Sequence, residues 1–225
     1  CLSPTFDVEW VDSVDGMERF AVAMRGATVV AIDAEWRDPR LCSTVQVAVL
    51  PGRQTWVLCT LDNDGGAAYL ERLGVVMRDA MLDAAVVKIG FAFENDFARL
   101  AATCPPLIGA TVAPLYDFCT NLKLAALRAA GAGRAAAGAA RDVEGGVVAD
   151  CKESTGEELA RRVAPLAGRS LKTLASEVFG LPMDKGPQVS NWDRRPLRPD
   201  QLRYAALDAE ILIRLYLAFR DGLCS

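Results

Sequence analysis

Asp33 and Glu35 stand two residues apart in VVAIDAEW, Val29 to Trp36, an otherwise hydrophobic run. In a strand, residues i and i+2 project from one face. Burying a lone carboxylate is costly, and two placed close together repel each other. Such a pair alone is often only a solvated strand exit, but joined by further acids it calls for a cation. Mg²⁺ and Mn²⁺ take hard oxygen ligands, and two such ions about 3.5–4 Å apart form a clamp for in-line displacement at phosphorus.

Further acids fit the same chemistry. Tyr204 and Asp208 are i and i+4 in PDQLRYAALDAEILIRLYLAF, residues 199–219, so they share a helix face. Asp96 follows the β-rich run AVVKIGF, residues 85–91, near the start of the next helix. Sites in open α/β sheets collect at the carboxyl ends of strands, which brings Asp33, Glu35 and Asp96 to one edge. Taken singly, Asp96 reads as a helix cap, Tyr204 as a core-edge ring and Asp208 as a surface acid. The ordered set, each member in a compatible element, carries the metal reading.

Composition narrows the alternatives. The 225 residues include no histidine. That excludes Ser-His-Asp and Cys-His catalysis and His-ligated zinc. The seven cysteines form no CxxC pair and are expected to be reduced thiols in an intracellular protein, nuclear or cytoplasmic rather than secreted. No apolar run reaches the roughly 20 residues of a membrane span. The net charge of −4 argues against coating by nucleic acid over the whole surface, and leaves room for a local basic groove. The chain is long enough for one domain with a sizeable core. It begins at Cys1, so a fragment of a longer protein is expected.

The elements that must position these groups follow from periodicity. SVDGMERFAVAMR (13–25) reads as an amphipathic helix. A strand over 28–35 precedes a hairpin, 44–50 and 54–59, turned at Pro51-Gly52-Arg53. A helix over 64–81, a strand over 85–91, a helix over 94–102, a short strand over 111–116 and a helix over 117–130 come next. SLKTLASEVFGL (170–181) and 199–219 are the last helices. The hairpin makes the sheet mixed, with helices on both faces. Residues 131–155 are expected to be a flexible Ala/Gly-rich insertion within a single domain spanning 1–225. GAGRAA (131–136) fits G-x-G-x-x-A, but the segment before it reads as helix, where a dinucleotide loop needs a strand.

IDAEW (32–36), GFAFENDFARL (90–100) and YAALD (204–208) together resemble the three motifs of the DEDD-superfamily 3′–5′ exonucleases, in the Tyr-containing (DEDDy) branch. LKTLASEVFGLPMDKGPQVSNWDRRPLRPDQLRYAALDA (171–209) is similar to the RNase D and Werner-syndrome exonuclease group. The resemblance spans roughly residues 6–220. It implies an RNase H-like three-layer α/β/α fold with a five-stranded mixed sheet. It implies two divalent cations, Mg²⁺ or Mn²⁺, on Asp33, Glu35, Asp96 and Asp208, with Tyr204 positioning the attacking water. The implied reaction is hydrolysis of the 3′-terminal phosphodiester of single-stranded nucleic acid, releasing nucleoside monophosphates. GFAFENDFARL and QVSNWDRRPL lie nearer the eukaryotic small-RNA trimmers, favouring RNA over DNA.

A single strand with a free 3′ end is gripped by cations on phosphates and flat rings on bases. Residues 185–203 carry Lys185, Arg194, Arg195, Arg198 and Arg203 around Trp192, with Gln188, Ser190 and Asn191 able to hydrogen-bond. Phe91, Phe93 and Trp36 flank the acid motifs as candidate base contacts. Lys185, Gln188, Asn191, Trp192 and Arg195 are the expected grip, although Trp192 also has a plain packing role open to it. The competing class is a nucleic-acid-binding or scaffolding module that kept the fold and lost the chemistry; retention of all four acids and the Tyr favours the enzyme.

Overall fold

The computed structural model describes residues 1–37, 41–61, 63–139, 161–184 and 186–220. Six strands form one mixed sheet in the order β1-β4-β3-β2-β5-β6. They are β1 Asp7–Val11, β2 Val29–Trp36, β3 Cys42–Leu50, β4 Gln54–Cys59, β5 Val87–Gly90 and β6 Leu115–Asp117. β2 pairs antiparallel with β3, as β3 does with β4; the β1–β4, β2–β5 and β5–β6 pairs are parallel. The sixth strand corrects the expected five. It is β1, a half-exposed edge strand of only five residues, DVEWV.

Side-chain alternation on β2 decides the layers. Val30, Ile32 and Ala34 join the core under α1 (Val14–Arg25), α2 (Gly66–Leu82) and α3 (Phe93–Thr103). Val29 and Ala31 face the opposite core, under α4 (Phe118–Ala139), α5 (Leu171–Phe179) and α6 (Pro199–Arg220). Asp33 and Glu35 continue this second face. α6 lies across β2, β3 and β4 and so roofs the acid pair. Among the described residues, no helix is long and apolar enough to cross a membrane.

Local signals set the helix ends. Ser13 caps α1, its Oγ accepting from the Gly16 amide at 3.3 Å, and Met17, Phe20, Ala21 and Met24 form its buried stripe. Ser170 caps α5 through the Thr173 amide at 3.2 Å, and Gly180 closes that helix at φ +67°. Buried Glu210 on α6 accepts from the Thr5 and Phe6 amides, at 2.8 and 3.0 Å, and so fastens the N-terminal segment to the last helix.

α4 runs through Ala139, nine residues into the expected insertion, because its alanines outweigh the scattered glycines. GAGRAA therefore sits inside a helix with no strand before it, which removes the dinucleotide reading. The rest of the 131–155 expectation lies outside the described residues.

Candidate active site

β2 and β5 are parallel neighbours, so both deliver their carboxyl ends to one edge of the sheet. Asp33 and Glu35 project from the end of β2. Asp208 comes down from α6. One carboxylate oxygen from each of the three lies within 4.8 Å of the other two. Asp96, from the first turn of α3, completes the wall of the same cavity, whose volume is about 520 Å³.

Asp96 is placed by a tight β5–α3 connection. At Gly90 an added Cβ would stand 2.5 Å from Phe93 Cβ, so only glycine lets α3 begin this close to the strand. Ala92 takes the left-handed conformation at φ +54°. The Phe93 amide, first in α3, donates to Asp117 Oδ2 at 2.9 Å, while Asp117 Oδ1 accepts from the Thr120 amide at 2.9 Å. One carboxylate thus caps two helices.

The acids hold protons far above the ordinary carboxylate range. Burial raises Asp33 to about 7. Burial, then the charges of Asp33, Asp208 and Asp96, pushes Glu35 to about 10. Burial and Asp33 lift Asp96 to about 8. Asp208 is raised strongly, first by burial and then by Asp33, against the lowering influence of the Tyr204 hydroxyl and Lys172. The Tyr204 hydroxyl hydrogen-bonds the Asp208 carboxylate, and its own proton is held more tightly, mainly through burial. Four acids raised together, all chiefly by burial, are compatible with a hard-cation site. The donors are all oxygen, which fits a divalent ion such as Mg²⁺ or Mn²⁺.

The expected substrate residues divide. Trp36, Phe91 and Gln188 line the cavity. Phe93, Trp192 and Arg195 do not, and this corrects the expected grip. Phe93 is 2% exposed, within the core under α3. Trp192 is 1% exposed; its Nε1 donates to the Gln188 carbonyl at 3.3 Å and its ring packs 6.0 Å from that of Tyr204. Arg195 points inward. Its guanidinium donates to the carbonyls of Ser43 (2.5 Å) and Trp192 (2.8 Å) and to Cys59 Sγ (3.0 Å), and it lies over the Trp10 ring. Burying an arginine on backbone carbonyls uses its fork as a staple. Asn191 is exposed, away from the cavity, its Oδ1 accepting from the Asp193 amide. Lys185 lies outside the described residues.

The sequence reading missed Ser170, Lys172, Met183 and Asp184, which also line the cavity. The available signal was the Ser170 cap, which fixes the start of α5 and hence where Lys172 falls.

A mixed sheet with helices on both faces, and acids from its central strand and two helices meeting at the strand ends, is the arrangement of an RNase H-like fold. The 3′-5′ exonuclease family matches residues 139–223. The human exonuclease mut-7 homolog is 26% identical over 197 residues, covering 84% of this chain and 20% of the relative. The chain therefore spans about a fifth of that protein. The EXO domain of Aedes aegypti Nibbler superposes with a TM-score of 0.71 at 20% identity, over 99% of this chain and 93% of that one. Trypanosoma brucei RNase D, solved in complex with RNA U12, superposes with a TM-score of 0.62 at 17% identity, over 95% and 62%. These likenesses support a 3′–5′ exonuclease domain of the DEDD superfamily.

Proposed function

We propose that this protein removes nucleotides one at a time from the 3′ end of single-stranded nucleic acid, releasing nucleoside monophosphates. Asp33, Glu35, Asp96 and Asp208 would hold two divalent cations, Mg²⁺ or Mn²⁺. When bound, such ions neutralise charge at the scissile phosphate and make a water acidic enough to attack. The observation that carries this reading is the convergence of Asp33, Glu35 and Asp208 within 4.8 Å in a cavity that also holds Asp96.

The chain's own groups divide the remaining work. Tyr204, on the same helix face as Asp208, holds its phenol at the cavity, where it orients the attacking water. Its hydrogen bond to Asp208 fixes that phenol beforehand. Trp36, Phe91 and Gln188 line the wall where the terminal nucleoside would rest. The rings exclude water and offer flat faces to a base. RNA is the favoured strand, supported by the motif resemblance and by the RNA-bound fold relative. The free thiols of Cys1, Cys42, Cys59, Cys104 and Cys119 suit an intracellular setting.

The test is one gel. The protein is incubated with 5′-labelled single-stranded RNA and DNA of one sequence, with Mg²⁺, with Mn²⁺ and with chelator. A ladder shortening from the 3′ end, abolished by chelator and by Asp33→Asn, is the expected result. Intact strands under every condition, with binding retained, would replace the enzyme by a binding module.

A further inference from the structure

A second recess adjoins the acid cavity along α3. It measures about 590 Å³ and shares Trp36, Phe91 and Asp96 with the first. That is within the range of about 300–1,000 Å³ typical of small-ligand sites. Its floor is one stripe of α3: Asn95, Ala98, Arg99 and Ala102 follow helical i, i+3, i+4 and i+7 spacing. The two alanines keep the floor low, while Asn95 and Arg99 rise from it. Arg99 stacks over the Trp36 ring, 5.1 Å from its centroid.

The two recesses differ in charge. Among the described residues, five acids and one cation, Lys172, line the acid cavity. Among the described residues, one acid, Asp96, and one cation, Arg99, line the α3 groove. A phosphate gains little from the acids of the first until cations join them, and meets a guanidinium in the second at once. Along the expected alternative path over 186–203, Arg195 is turned inward, Trp192 is buried, and Arg198 pairs with Asp200 at 2.9 Å.

We propose that the α3 groove holds the nucleotides preceding the 3′ terminus of a single strand. The guanidinium of Arg99 contacts a phosphate, Trp36 forms a stacking surface and the Asn95 amide offers a polar contact. Stacking on Trp36 pre-orients the Arg99 fork, which suits a phosphate better than a mobile lysine would. This rests on the exonuclease reading for the position of the terminal nucleotide. It adds the direction from which the strand arrives.

The experiment reads binding of a 5′-fluorescein-labelled single-stranded 12-mer by anisotropy, in Ca²⁺, over a series of KCl concentrations, with strand integrity checked on a gel. Each phosphate contact on a single strand contributes about 0.7 to the slope of log K against log salt. Arg99→Ala should weaken binding several-fold and lower the slope by about 0.7. Ala98→Arg, a change at an exposed helix position in the groove that does not threaten folding, should raise the slope by a similar amount. Arg203→Ala, on the exposed start of α6, should leave it unchanged. Slopes equal to wild type in both groove variants, in a protein that still shortens strands, would remove the groove and leave the exonuclease standing. A wild-type protein that neither shortens nor binds a strand would remove both.

Discussion

The acid cluster should make metal-free protein lose stability as pH rises through neutrality. Asp33 titrates near 3.8 in an unfolded chain and is held at about 7 here. The folded state therefore binds the proton more tightly than the unfolded state between those values. Stability from such a raised carboxylate is greatest at low pH and is lost as pH climbs through the folded pKa. Linkage for this one group gives a loss of about 2 kcal/mol between about pH 5.5 and pH 8. For a chain of this size that lowers Tm by about 4–8 °C. Asp96, Glu35 and Asp208 are shifted in the same direction, so the coupled set should exceed this figure.

Divalent cations should reverse the loss, because they stabilise the ionised acids of the folded state only. The assay is thermal unfolding from pH 5.5 to 8 at fixed ionic strength, with chelator, with Mg²⁺ and with Mn²⁺. Stabilisation by metal should be small at the acid end and largest at the alkaline end. Asp33→Asn should flatten the chelator profile and blunt the response to metal. A chelator profile that rises with pH, or a metal effect equal at both ends, would refute the account of the acids as a repelling, metal-dependent set.

Three further changes separate chemistry from scaffolding. Tyr204→Phe should reduce kcat by about 10²-fold while keeping the pH dependence of Tm, measured by single-turnover cleavage beside thermal melts. Trp192→Ala should cost about 3–5 kcal/mol in denaturant unfolding; Trp192→Phe should keep most of the fold yet lower kcat, because the ring behind Tyr204 is smaller. Arg195→Ala should cost about 2–3 kcal/mol by stranding the Ser43 and Trp192 carbonyls, with no change in the salt slope of strand binding.

The acids were legible because local geometry is rigid: i and i+2 on β2, and i and i+4 on α6, leave no freedom about which side chains share a face. The β3–β4 hairpin was legible for the same reason. β1 was not, since DVEWV puts acids at Asp7 and Glu9 and forms a strand only through its parallel partner β4, more than forty residues on. The basic stretch was misread for a related reason. Counting arginines in 185–203 says nothing of where each points. Arg195 turns inward because the Ser43 carbonyl, 152 residues away in sequence, waits there. Pairwise contacts over such separations leave no local pattern, whereas the stacking of Arg99 on Trp36 joins two motifs that were each visible but not visibly adjacent.

Placing the terminal nucleotide among five carboxylates looks self-defeating until the charges are balanced. With the acids ionised and Lys172 charged, the described residues lining the cavity carry four more negative than positive charges, an excess that two divalent ions would close. Before that closure, a phosphodiester gains little by entering, while burial favours protons on Asp33, Glu35, Asp96 and Asp208. The described residues lining the α3 groove carry no such excess, since Asp96 stands against Arg99 there. A strand can therefore rest on α3 whether or not metal is present, while its terminal phosphodiester enters the acid cavity only with cations. Binding and cleavage should then separate experimentally: chelator should abolish shortening of the strand outright yet leave an affinity that Arg99→Ala still weakens.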